Sequence, residues 1–331
     1  MSGGSIYVPP QRIGIKDLVD AEALRSRTVA EQALAAFALD GYEVASLTKH
    51  SNVTARLVSP GAPSLALRLR QAPGVDVRTE LEWLRAVRRG TSVRVVETYA
   101  EAAADTVRRV TGPNGETVEC TLFLWADGQP LAAHLTETNY RELGRLSAAL
   151  HEFGARWKPP EGLKPLLWNQ TMYYEGSRLQ VVDPQYRAFI STSEARIVKE
   201  VVAAADAELS QLAREAHGIY LHGNIEMWNV LTTGPGELRL LDFEDVMHGD
   251  PVLDIAITLY YGRERNDYRA LSSAYEEGYR SVRPWPVRDS RQLDILTAAR
   301  ATMLLNHALQ TESDKQSVTE RLLPLILAAA L

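Results

Sequence analysis

The stretch that decides the reading of this chain is His222-Gly223-Asn224-Ile225-Glu226-Met227-Trp228-Asn229, continuing through Val230-Leu231-Thr232, Thr233-Gly234-Pro235-Gly236 and Leu238-Arg239-Leu240-Leu241 to Asp242-Phe243-Glu244-Asp245. Two short apolar runs flank a Gly/Pro turn, which is a β-hairpin pattern. With the turn centred between Pro235 and Gly236, Asn229 lies about six residues before the centre and Asp242 about six after it. The facing-residue rule of antiparallel ladders then puts the two side by side at the open end of the hairpin. An amide oxygen and a carboxylate are hard ligands of the kind Mg²⁺ takes, with water and phosphate completing its shell. The same residues also describe a polar hairpin end facing water, and spacing alone leaves both readings open.

Around this hairpin the chain changes character near Ala126-Asp127-Gly128. Before it, strand patterns cover 42–47, 52–58, 65–70, 106–110 and 117–125. Ser59-Pro60-Gly61-Ala62-Pro63 and Pro113-Asn114-Gly115 supply the turns between them. An alanine-rich run at 28–37 and a 3.6-period run at 77–89 read as helices. After it, helices dominate: 140–153, 193–216, 269–279, 292–310 and 317–330. The expectation is α+β in two lobes, a sheet-rich lobe over 1–125 and a larger, mainly helical lobe over 126–331. Asp250 is placed to cap a helix beginning at Pro251.

Composition narrows the function classes. The net charge of −6 lacks the basic excess of a general nucleic-acid binder. The single cysteine, Cys120, excludes an internal disulfide framework and a multi-cysteine zinc site. No apolar run is long enough to cross a bilayer, and residues 1–7 lack the pattern of a secretory signal, so a cytoplasmic protein is expected. Neither nucleic acid nor membrane is an expected partner, and the expected state is a monomer or homodimer.

The hairpin segment resembles the signature of the aminoglycoside phosphotransferase and choline kinase-like enzymes, a family that also includes type II homoserine kinases and shares the protein-kinase fold. That signature is His-Gly-Asp, a five-residue step to Asn, and a strand ending in Asp-Phe. The corresponding steps run from 224 to 229 and from 229 to 242. Gly249-Asp250-Pro251-Val252-Leu253-Asp254-Ile255-Ala256 is similar to the family's Gly-Asp-Pro-x-x-Asp-Leu-Ala. Thr48–Thr54 resembles its phosphate-covering turn, with Ser51 and Asn52 at the tip, and Leu65–Leu69 resembles its third strand. Thr79–Leu84 resembles the helix whose Glu pairs with a basic residue, and Leu122–Gly128 resembles the inter-lobe linker.

The resemblance implies an ATP-dependent phosphotransferase acting on the hydroxyl of a small molecule: an aminoglycoside, an amino alcohol or a homoserine-like acceptor. It implies ATP and Mg²⁺ as cofactors, with Asn229 and Asp242 on the metal. Ser51, Asn52, Arg68, Glu80 and Leu124 would serve the nucleotide, Arg68 pairing with Glu80. Asp254 would hold the catalytic loop, with His222 propping it. The alternative is a nucleotide-binding pseudokinase with a regulatory or binding role.

Asn224 stands where the family has its catalytic Asp. An amide carries no charge and is a very poor base. Losing a general base typically costs about 10²–10⁴ in rate, whereas positioning and metal supply most of phosphoryl transfer. A weakened enzyme with an intact nucleotide site is therefore expected. Glu226, two residues on, is the candidate displaced base; on an extended segment it would share a face with residue 224 at about 6–7 Å. Arg68 also reads as an outward arginine between Leu67 and Leu69, and Trp228 either lines the acceptor site or wedges the loop. Glu264, Asp267, Glu276 and Glu277 offer acidic groups for a cationic acceptor or simply an exposed helical face.

Overall fold

The computed structural model describes residues 12–13, 21–49, 52–70, 75–100, 106–174, 177–215, 218–312 and 314–330. The chain forms two compact units, Met1–Gly74 with Val96–Asp127, and Val75–Val95 with Gly128–Leu331. The sequence boundary near residue 125 left the helix around residue 80 with the sheet. In the structure that segment belongs to the helical unit, because Trp83 packs on Phe153, Trp157 and Tyr220.

The first unit contains β1 (Arg12–Ile13), α1 (Ala21–Ala36), β2 (Glu43–Lys49), β3 (Val53–Val58), β4 (Leu65–Arg70), β5 (Val107–Thr111) and β6 (Thr117–Leu124). The strands form one antiparallel sheet in the order β1-β2-β3-β4-β6-β5. Period-2 alternation explains it: Val53, Ala55 and Leu57 of β3 and Leu65, Leu67 and Leu69 of β4 are buried on one core with Val29, Ala30 and Ala33 of α1. The helix begins seven residues earlier than its alanine run suggests. Leu24 is 61% exposed, so the first turns carry little apolar stripe to read.

The second unit contains α2 (Val77–Gly90), β7 (Gln129–Pro130), α3 (Glu137–Arg156), β8 (Leu166–Leu167), α4 (Thr192–Glu215), β9 (Ile219–Leu221), β10 (Val230–Gly234), β11 (Glu237–Leu240), β12 (Met247–Gly249), α5 (Val252–Tyr260), α6 (Tyr268–Arg280), α7 (Ser290–Thr311) and α8 (Lys315–Ala328). Two small sheets, β11-β10-β7 and β8-β12-β9, matter most for function. β9 pairs with β12 and β10 with β11, so residues 222–229 and 241–246 are tied together at both ends. Asp250 holds the start of α5 through a bond from the Val252 N–H at 2.9 Å, one residue later than Pro251 suggested.

Helices α3 and α6 meet backbone to backbone. A Cβ on Gly144 would lie 1.9 Å from the Tyr275 carbonyl oxygen, and one on Gly278 would lie 1.8 Å from that of Arg141. Backbone cannot swing aside as a side chain does, so these two glycines set the helix spacing. We expect Gly278→Ala to destabilise the unit by about 1–3 kcal/mol or more through overpacking, lowering Tm by roughly 2–4 °C per kcal/mol. Calorimetric unfolding checks this; an unchanged Tm would mean the helices separate without cost.

Candidate active site

The loop between β9 and β10 is held from below by one carboxylate. Asp254, fully buried in α5, accepts from the His222 N–H at 3.0 Å and from the Gly223 N–H at 2.8 Å. His151 of α3 lies 3.1 Å from the same carboxylate and 2.9 Å from the Tyr279 hydroxyl of α6. A carboxylate only accepts, so His151 Nε2 donates to it and Nδ1 accepts a hydrogen bond from the Tyr279 hydroxyl. Gly223 has φ +84°, and a Cβ there would lie 1.9 Å from the Asp245 carbonyl oxygen. The loop therefore lies directly against the 241–246 segment.

His222 is a prop. Its Nε2 lies 2.9 Å from the Leu241 carbonyl and so donates, while Nδ1 accepts from the Asn224 N–H at 3.3 Å. Burial pushes its pKa down from the usual histidine value, against the pull of Asp254, so the ring is neutral at pH 7.

Asn224 sits between a buried cation and a buried carboxylate. Arg300 Nη2 of α7 donates to its Oδ1 at 2.8 Å, and its Nδ2 donates to Asp245 Oδ2 at 3.1 Å. The neighbours fix the amide's orientation, since a guanidinium only donates and a carboxylate only accepts. Arg300 also donates to the Tyr261 hydroxyl at 3.2 Å, and Tyr174 donates to the other Asp245 oxygen at 2.6 Å. Asp245 is raised above the ordinary carboxyl range by burial and by Asp242, against its bond from Tyr174 and the charge of Arg300. Glu226 is raised chiefly by burial too, opposed by Arg300 and by a hydrogen bond from Tyr261.

The loop is coiled where the sequence suggested an extended path. The Glu226 N–H donates to the Asn224 carbonyl and the Asn229 N–H to the Glu226 carbonyl, each at 2.9 Å. The same-face spacing assumed for residues 224 and 226 therefore does not apply. Trp228 stacks edge-on against Tyr261, with ring centroids 5.4 Å apart, on the Arg300 side of the loop.

The facing argument for Asn229 and Asp242 needs a one-residue correction. Gly234 faces Glu237, but the register shifts between Thr232 and Gly234, so Val230 pairs with Leu240. The Leu241 N–H then donates to the Asn229 carbonyl at 2.8 Å, and Asp242 follows with φ +56°. That left-handed backbone is tolerated by Asp better than by most residues, and it turns the chain out of the ladder. Asn229 Nδ2 is tied to the Asn224 carbonyl at 3.1 Å. Its Oδ1 is left as the acceptor, and with a carboxylate at 242 this donor set fits a hard divalent ion. Among the described residues, no group of three His, Cys, Asp or Glu forms a metal site. A magnesium carried mainly by water and phosphate needs none.

The residues assigned to nucleotide are spread over both units. Ser51 lies outside the described residues, and Asn52 is buried just before β3. Arg68 is buried on β4 with its guanidinium 5.4 Å from the centre of the Phe123 ring, so it is not an outward arginine. Glu80 is buried in the first turn of α2, in the other unit. The Leu124 N–H donates to the Glu97 carbonyl at 2.8 Å, which commits that donor within the sheet unit.

Three of the four acidic residues considered for a cationic acceptor serve surface ion pairs: Glu277 with Arg141, Glu276 with Arg280 and Asp267 with Arg265. Asp245, Arg300, Tyr174 and Tyr261 received no role from the sequence. Asp245 lay within the quoted motif. For Arg300 the signal was a lone charge within Ala298-Ala299-Arg300-Ala301, a run that is buried throughout.

No helix among the described residues is long and apolar enough to cross a membrane. The profile of the phosphotransferase enzyme family, APH, matches residues 47–285. An uncharacterized protein of Synechocystis sp. is 24% identical over 214 residues, covering 64% of this chain and 57% of that protein. The chain thus spans little more than half the length of that curated relative. The structure of a microcompartment-associated aminopropanol kinase superposes with a TM-score of 0.72 at 20% identity, over 92% of this chain and 95% of that one. Amicoumacin kinase in complex with AMP-PNP, Ca²⁺ and Ami gives 0.70 at 16% identity, over 93% and 96%. Spectinomycin phosphotransferase with ADP and spectinomycin gives 0.60 at 11% identity, over 91% and 98%. At these identities the structures bear on the fold alone. That fold is the α+β, two-lobed architecture of protein kinases, and with most of its length matched by the family profile the chain belongs to the APH phosphotransferase family.

Proposed function

We propose that this protein is a kinase that transfers the γ-phosphoryl group of ATP to a hydroxyl of a small molecule, with an amino alcohol, an aminoglycoside or a homoserine-like compound as acceptor. The observation that carries the reading is the loop 222–229, pinned by Asp254 and paired at both ends to the 241–246 segment. Asn229 Oδ1 and Asp242 would hold Mg²⁺, which supplies charge stabilisation to the phosphates when bound. Asn52, Arg68, Glu80 and Leu124 are assigned to the nucleotide as part of this proposal, and Asn224 to the acceptor side. A binding role without turnover is the second reading. It is favoured by the amide at 224, which carries no charge and is already bonded to Arg300 and Asp245.

Turnover with Mg²⁺ and ATP, followed by ³¹P NMR over a panel of amino alcohols, aminoglycosides and homoserine-like acceptors, tests the proposal. A new phosphate ester appearing in step with ADP is the expected result. Binding of Mg²⁺·ATP with no ester from any acceptor would favour the second reading.

The metal assignment has its own test. Asp242→Asn keeps a residue that tolerates the left-handed backbone but removes the charge that holds the cation. We expect Mg²⁺ to strengthen ATP binding to the unaltered protein and to have little effect on the variant, with Tm near unchanged. Equal ATP affinity with Mg²⁺, with chelator and in the variant, by titration calorimetry, would remove Asp242 from the metal site.

A further inference from the structure

We propose that Asp245 is the proton acceptor of the phosphoryl transfer and that Asn224 is the residue that positions it. The inference rests on the kinase reading above. It starts from the two contacts of the Asn224 side chain, Arg300 on its oxygen and Asp245 on its nitrogen. The carboxylate absent from position 224 is found one hydrogen bond away, on the neighbouring segment.

The arrangement explains the amide. A carboxylate at 224 would accept from Arg300 but would face the Asp245 carboxylate at about 3 Å, where two like charges cannot both persist. An amide satisfies both neighbours at once, donating to one and accepting from the other. Asp245 keeps its remaining lone pairs, since Tyr174 and Asn224 take one site on each oxygen. Glu226 is the competing candidate: Arg300 and Tyr261 act on it much as Arg300 and Tyr174 act on Asp245, so turnover of the two variants decides between them.

The groups acting on Asp245 tune it toward this task. Burial and Asp242 raise it, while Tyr174, Arg300 and His222 draw it back. A raised carboxyl group takes up a proton more readily than an ordinary one.

In the reaction the acceptor oxygen forms a bond to the γ-phosphorus of ATP. The bond from that phosphorus to the β–γ bridging oxygen breaks, and its electron pair leaves on ADP. The hydroxyl proton passes to the Asp245 carboxylate and from there to solvent once product departs.

The test compares Asp245→Asn, Glu226→Gln and Asn224→Asp with the unaltered protein, using kcat, KM for acceptor, ATP affinity and Tm. Asp245→Asn should lose about 10²–10⁴ in kcat, more than Glu226→Gln loses, with KM and ATP affinity little changed. Its Tm should be equal or higher, because the substitution removes a buried charge while Tyr174 can turn its hydroxyl to accept from the new amide. A purely structural Asp245 would instead lower Tm and leave kcat per folded molecule intact. Asn224→Asp should bring no gain in kcat, since it sets a second carboxylate against the first. Two results would overturn the assignment: Asp245→Asn retaining turnover within about threefold, far short of a lost base, or Asn224→Asp raising kcat about a hundredfold as a restored base would. An unaltered protein that binds Mg²⁺·ATP yet phosphorylates nothing would instead remove the kinase reading on which the assignment rests.

Discussion

One buried carboxylate organises the helical unit's chemistry. Asp254 has no exposure to solvent, and its two oxygens receive the backbone N–H groups of His222 and Gly223 and the ring of His151. Burying a carboxylate is expensive unless such partners surround it. The partners here come from a loop, from α3 and, through Tyr279, from α6. The contact of α3 with α6 at Gly144 and Gly278 therefore bears on loop position, because it sets how far His151 stands from Tyr279. Packing between helices and the geometry of the candidate site are linked through this one group.

From that anchor the site follows by short steps. Gly223 lets the loop press on the backbone at Asp245, the neutral His222 ring ties the loop to Leu241, and Asp242 turns out of the ladder. The result is a row of polar groups on two segments that cannot slide past each other. Phosphoryl transfer asks for this kind of placement more than for covalent chemistry. The charge pattern there is a buried arginine and a buried aspartate with a neutral amide between them.

Much of this was legible in the sequence, and the limits have physical causes. Strands β3 and β4 and helix α2 follow from residue alternation and period, because each has one clearly apolar face. The motif 222–245 pointed to a hairpin, which the structure contains. Its register slipped by one residue, because a local irregularity near Thr232 and Gly234 leaves no compositional mark. The grouping of α2 with the helical unit depends on Trp83 stacking with rings from α3, α3's C-cap and β9, none of them near it in sequence. Arg300 lies 76 residues from Asn224, so only the fold could join them. Against the resemblance, Asn224 read as a simple loss of a carboxylate. The structure shows the amide as part of a set whose other members are distant in the chain.

The central claim is that Asp254 holds the loop on which the rest of the site is built, and hydrogen exchange measures it most directly. In Asp254→Asn one acceptor oxygen becomes a donor, leaving a loop N–H without its partner at a cost of about 1–3 kcal/mol. The account predicts that the His222 and Gly223 amides exchange roughly tenfold faster or more, while amides in the middle of α3 and α6 keep their protection. Unchanged protection at His222 and Gly223 in a folded variant would contradict it.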